Sequence, residues 1–342
     1  MVYGPLIVSI HGYQLSEDEI NILQNAYIGG VILFANNHQT VEQLEALTSE
    51  IKKCALEANK NIMIMVDHEG GYLQRFRTDF TAVPSEKVLG EIYDINPATA
   101  LQYAYQLGTT VGAELQKAGV DIILGPVVDL DRGNAVISGF DRAYHADPIV
   151  VTEIATSYIE GIQTSDIHVT LKHFPGHGAN VGDSHTIEPI DERTLEEIST
   201  LDLLPFQNLI EKNLVEAIMP AHIKYTNVDS EHTAGTSKIW LQDVLRGELH
   251  FEGVIISDCL SMTGAGNKDP IDKILSVLEY GDLALLSHQS TEEYSQILNT
   301  LQEQQYTWSQ ESQNRVEAWL VPSVLLNSAL SIEPTFADNV II

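Results

Sequence analysis

One Lys, three His and one Asp fall within fourteen residues: Lys172, His173, His177, Asp183 and His185. They run through Lys172-His173-Phe174-Pro175-Gly176-His177-Gly178 and then Asp183-Ser184-His185. Pro175 and the glycines forbid one regular element throughout. Titratable groups crowded onto an irregular segment after a strand move protons or hold a ligand. Asp183 and His185, two residues apart, form an acid/base pair if the carboxylate orients the imidazole and stabilises its charged form. The plainer reading is an exposed loop pair. A second polar strand end is Asp258, which closes the apolar run Gly253-Val254-Ile255-Ile256-Ser257. A carboxylate there can attack a sugar carbon or stabilise a cation, or it can cap a following helix.

The same pattern of apolar run then polar residue recurs. Asp67-His68-Glu69-Gly70-Gly71 is followed by Gln74-Arg75-Phe76-Arg77, and Asp141-Arg142-Ala143-Tyr144-His145 lies in a later loop. Asp67, Arg75, Arg142, Lys172 and His173 are therefore candidate ligand contacts, or members of an internal ion network in which Asp67 pairs with Arg75 or Arg77. His177 reads as loop structure, and His11, Cys259 and Glu69 as structural. His173, His177, Asp183 and His185 include metal-ligand types. The first strand, however, offers only His11 where metal-dependent barrel hydrolases often have His-x-His, so no metal is expected.

These residues need a frame that brings distant strand ends together. Short runs rich in Ile, Val and Leu, at 6–11, 30–34, 62–67, 120–128, 168–173, 216–222, 253–258 and 282–287, predict eight strands buried on both faces. Amphipathic stretches between them predict helices at 17–26, 41–58, 98–118, 152–164, 195–213 and 239–249, with Asp191 and Ser237 as N-caps of the last two. Eight β–α repeats imply an α/β, TIM-type (β/α)8 barrel in which catalytic groups gather where strands end. A doubly wound sheet is the alternative, but Ile10-His11-Gly12-Tyr13 follows the first strand without a GxGxxG turn. No linker divides the chain, so residues 1–342 are expected to form one domain, with about 302–342 as a closing helix and tail.

Composition narrows the partners. A formal net charge of -30 repels nucleic acid and anionic lipid. Two cysteines make no disulfide framework, no basic segment precedes an apolar core at the N-terminus, and no run of about 18 apolar residues exists. The expectation is a cytoplasmic monomer that binds neither nucleic acid nor membrane.

Taken together, the motifs resemble glycoside hydrolase family 3, in particular its single-domain β-N-acetylglucosaminidases. The matching segments are Val66 to Gly71 with Gln74 to Arg77, Arg142 to Pro148, Lys172 to Gly178, Asp183-Ser184-His185, and Ser257 to Met262. The Lys-His-Phe-Pro-Gly-His-Gly and Asp-Ser-His combination is the specific one. The resemblance implies a TIM barrel that releases terminal N-acetylglucosamine with retention of configuration, from peptidoglycan fragments met in cell-wall recycling. It implies Asp258 as nucleophile, His185 with Asp183 as acid/base, and Asp67, Arg75, Arg142, Lys172 and His173 as sugar-binding groups, without metal or organic cofactor. Cys259 stands where the family commonly has a second Asp, His68 where Gln is usual, and Tyr72 where a basic residue is usual; His68 and Tyr72 are expected near the sugar pocket. Competing readings are a metal-dependent barrel hydrolase, a non-catalytic sugar-binding barrel, a family 3 β-glucosidase and a glycoside phosphorylase.

Overall fold

The computed structural model describes residues 3–179 and 188–320. Its eight barrel strands are β1 (Leu6–Ser9), β2 (Ile28–Leu33), β3 (Met63–Val66), β4 (Ile122–Ile123), β5 (His168–Phe174), β6 (Ala217–Pro220), β7 (Val254–Ile255) and β8 (Ala284–Leu286). They pair in the order β8-β1-β2-β3-β4-β5-β6-β7, every pair parallel. A parallel bridge between Ile256 and Leu283 joins β7 back to β8 and closes the ring. The expected eight-stranded barrel is the observed fold.

The two-residue period of a strand, with both faces covered, explains why most of these strands are apolar on both faces, β5 with Lys172 and His173 being the exception. Ile7, Ile32, Met63, Met65, Ile122, Met219, Val254 and Leu285 point inward and fill the barrel. Their neighbours Val8, Val31, Ile64, Ile123, Ile218 and Leu286 point outward, beneath the surrounding helices. Ser16, Thr194 and Ser290 start helices at Glu17–Leu23, Leu195–Ser199 and Thr291–Glu303, each in a capping box with a Glu three residues on.

The helix Gln310–Trp319 closes one end of the barrel. Trp308, Val316 and Trp319 join the inward-facing cluster. Arg315 and Ser312 bind the Asp282 carboxylate at 3.0 and 2.7 Å, and the Trp308 indole N–H donates to the Asp282 carbonyl at 3.0 Å. Of the segment 302–342 expected as closing helix and tail, residues beyond 320 lie outside the described residues.

Three local expectations are corrected. The fourth strand is two residues long rather than spanning 120–128, because Gly125-Pro126 interrupts it and proline has no N–H for the ladder. Val127 still bridges Lys172. The helix expected over 195–213 is two, Leu195–Ser199 and Leu204–Glu211. Pro205 at the start of the second cannot continue the first. Asp191 is not an N-cap: Thr194 caps that helix, while Asp191 binds the Arg193 guanidinium at 2.8 Å. Ser237 does accept the Trp240 N–H, at 3.3 Å, at the head of the helix Ile239–Glu248.

Candidate active site

Strand parity places the first charged side chains. Asp67 follows Met63 and Met65 at two-residue spacing, and Asp258 follows Val254 and Ile256, so both carboxylates emerge from the inward face at the mouth. Lys172 comes from β5 and extends its ammonium to Asp67 Oδ1 and Glu69 Oε1, both at 2.6 Å. Arg142, from the loop after β4, grips Glu69 through Nε at 2.8 Å and a second guanidinium nitrogen at 2.9 Å, and donates to the Val136 carbonyl at 3.1 Å. Arg75 lies 3.6 Å from Asp67 Oδ2 and over the Phe34 ring.

Glu69 is therefore the hub of the network. Its side chain is 1% exposed and Lys172's is 3%. Burial opposes its ionisation, but Arg142 and then Lys172 overcome that and hold its carboxyl well below the usual range. Lys172 is likewise opposed by burial, yet Asp67 and Glu69 keep its ammonium charged, with its pKa raised. Truncating a partner would strand a buried charge, which is why such networks hold their geometry.

A second network fixes the two histidines of the Lys-His-Phe-Pro-Gly-His-Gly segment. The buried Asp129 carboxylate faces His173 Nδ1 at 2.7 Å and accepts the backbone N–H groups of His173 at 3.3 Å and His177 at 2.7 Å. Burial pushes Asp129 up, but His173 and His177 outweigh it and lower its pKa. Burial drives His177 down to about 4, so it is neutral near pH 7.

Asp258 is half-buried. Burial raises its pKa, and His222, His173, the Cys259 N–H and Lys172 more than reverse that, leaving an ionised carboxylate. Its Oδ1 accepts the Cys259 N–H at 2.7 Å. It caps no helix, since the next α-helix begins at Pro270. The buried His222 ring meets the Cys259 carbonyl at 3.2 Å. Cys259 Sγ lies 2.9 Å from Ser287 Oγ and 3.0 Å from Ser261 Oγ.

All five expected contact residues, Asp67, Arg75, Arg142, Lys172 and His173, line one cavity of about 270 Å³ together with Asp258. An adjoining lobe of about 330 Å³ shares Asp67, Arg75 and Asp258 and has an apolar floor of Ile32, Leu124 and Met219. An ionised carboxylate beside paired cations, above an apolar floor, suits a polyhydroxylated ligand. Asp183 and His185 lie outside the described residues. Among the described residues, no group of three or more His, Cys, Asp or Glu is arranged to hold a metal ion. His68 departs from expectation: it is buried in an aromatic cluster with Phe76 and Phe80, its pKa lowered to about 4. Asp129 went unread, although it follows the run Ile122 to Val128 just as Asp67 and Asp258 follow theirs.

The chain is similar to known proteins in sequence and in fold. The model for the glycosyl hydrolase family 3 N-terminal domain matches residues 5–318. A Beta-hexosaminidase of Nitrosospira multiformis is 44% identical over 290 residues, covering 84% of this chain and 81% of its own. One from Neisseria gonorrhoeae is 43% identical over 263 residues, covering 77% and 71%. The crystal structure of NagZ from Neisseria gonorrhoeae in complex with N-trifluoroacetyl-D-glucosamine superposes with a TM-score of 0.83 at 34% identity, covering 97% of this chain and 94% of that one.

Proposed function

The chain belongs to glycosyl hydrolase family 3, and we propose that it is a retaining exo-β-N-acetylglucosaminidase acting on peptidoglycan fragments in cell-wall recycling. The observation that carries this reading is Asp258, ionised and half-buried, in one cavity with the Lys172–Asp67–Glu69–Arg142 network. The sugar bound by the related NagZ supports an N-acetylglucosamine-type ligand.

In the first step Asp258 attacks the anomeric carbon while His185, which the family motif pairs with Asp183, protonates the departing oxygen. In the second, His185 takes a proton from water, which opens the glycosyl–Asp258 ester and gives a β-configured product. The roles of Asp183 and His185 rest on their match to the family motif. Asp67, Lys172, Arg142, Arg75 and His173 hold the sugar hydroxyls, and their ion pairs with one another, with Glu69 and with Asp129 leave each in one orientation before substrate arrives. Two free cysteines suit a reducing compartment such as the cytoplasm; no described helix is long and apolar enough to cross a membrane.

The test is release of 4-nitrophenol from its N-acetyl-β-D-glucosaminide, with and without EDTA, by wild type and Asp258→Ala. Chelator-insensitive turnover, lost in the variant, is expected. Turnover abolished by EDTA would indicate a metal-dependent hydrolase, and an inert wild type a binding protein.

A further inference from the structure

Two aromatic rings stand at the rim of the cavity, and the chemistry above does not use them. Tyr72, in the loop after β3, is 73% exposed; Phe140, in the loop after β4, is 45% exposed. The rings come from different loops yet lie nearly parallel, 19° apart with centroids at 5.2 Å. Both line the same cavity as Asp67, Arg142 and Asp258. Large apolar rings held in water forgo the gain of burial, and an exposed pair beside a binding cavity marks a contact surface.

We propose that Tyr72 and Phe140 form a stacking platform for the first sugar ring of the leaving group, and so set which substrates are bound well. This rests on the exo-glycosidase reading. The charged groups that surround the reacting sugar are buried: Glu69, Arg142 and Lys172 are each under 9% exposed. A ring that is 73% exposed can touch only what projects from the cavity. An exo-acting enzyme takes the chain end inside, so what projects is the leaving group. One face of a pyranose presents axial C–H bonds, which are apolar and slightly positive, to the negative face of an aromatic ring. Such a contact requires no charge and no fixed hydrogen-bond direction, which suits a surface loop.

The experiment compares wild type, Tyr72→Ala, Phe140→Ala and Tyr72→Trp on two substrates. N,N′-diacetylchitobiose has a sugar as its leaving group; N-acetyl-β-D-glucosaminyl fluoride has a leaving group with no ring. On the disaccharide, KM should rise about five- to tenfold in each Ala variant with kcat little changed, and Tyr72→Trp should restore it. On the fluoride, kcat/KM should stay within about twofold of wild type. Equal losses on both substrates would overturn the proposal, because the rings would then support the fold or the reacting sugar. Unchanged KM on the disaccharide would overturn it as well. A wild type inert toward both substrates would refute the hydrolase reading and this proposal with it, a result distinct from a functioning enzyme indifferent to the rings.

Discussion

Asp129→Asn isolates what one buried carboxylate does for the site. In the wild type its two oxygens serve three donors: Oδ1 takes two backbone N–H groups, and Oδ2 takes His173 Nδ1–H at 2.7 Å. An Asn of the same shape has one accepting oxygen. If that oxygen keeps the backbone donors, its NH₂ faces Nδ1, and the imidazole must move its proton to Nε2. If it keeps Nδ1, two buried N–H groups face a donor. At least one charge-assisted hydrogen bond is lost either way, at about 1.5–3 kcal/mol each. A residual donor–donor contact brings the expected loss to about 3 kcal/mol, read from the urea unfolding midpoint. In the first case the other nitrogen of His173 changes from acceptor to donor, and in the second the backbone that carries the ring loses its anchor, so kcat/KM should fall by more than about tenfold even where the protein is folded. The pH dependence has a definite sign. The Asp129 pKa is lowered in the folded state. Its stabilisation is thus complete above the unfolded carboxylate value of about 3.9 and is lost as pH falls through the lower folded value. The variant should close part of its stability gap with wild type as pH falls from that unfolded value through the lower folded one. A variant with wild-type midpoint and wild-type kcat/KM would refute the claim that Asp129 positions the histidine.

Three further outcomes are expected. Glu69→Gln leaves the ammonium of Lys172 and the guanidinium of Arg142 sharing less negative charge in a buried setting, so urea unfolding should show a loss of about 3 kcal/mol and KM should rise; an unchanged midpoint would contradict the hub role. Cys259→Asp puts a second carboxylate beside Asp258, which should raise the nucleophile's pKa and move the acid limb of kcat/KM to higher pH, whereas an unmoved limb would show that the two groups are not coupled. Trp308→Ala removes an indole packed into the closed end of the barrel, and should cost about 3–5 kcal/mol in thermal or urea unfolding while leaving KM near wild type.

Much of the fold was readable because a parallel barrel writes itself as apolar runs separated by amphipathic ones. The strand-end rule found Asp67, Lys172 and Asp258 for the same reason: strand parity carries the inward face out to the mouth. What stayed hidden depends on contacts between distant segments. Glu69 reads as one more loop acid until Arg142 and Lys172, both more than seventy positions away, converge on it. Asp129 follows an apolar run like the others, but the run is broken at Gly125-Pro126, so strand parity no longer tells where its side chain goes. The break at Pro205 was legible in principle, but the apolar spacing across 195–213 continued through it. His68 faces away from the cavity because Phe76 and Phe80 draw it into their cluster, a choice that no local pattern announces.

The most direct test of the central claim is covalent trapping. Incubating wild-type protein with 5-fluoro-N-acetyl-β-D-glucosaminyl fluoride slows hydrolysis of the glycosyl-enzyme relative to its formation, and intact-mass and peptide-mass analysis then locate the adduct. One sugar per chain, attached to the peptide that carries Asp258 and absent in Asp258→Ala, is the predicted result. Turnover without any adduct, an adduct on another residue, or an α-configured first product by NMR would contradict it.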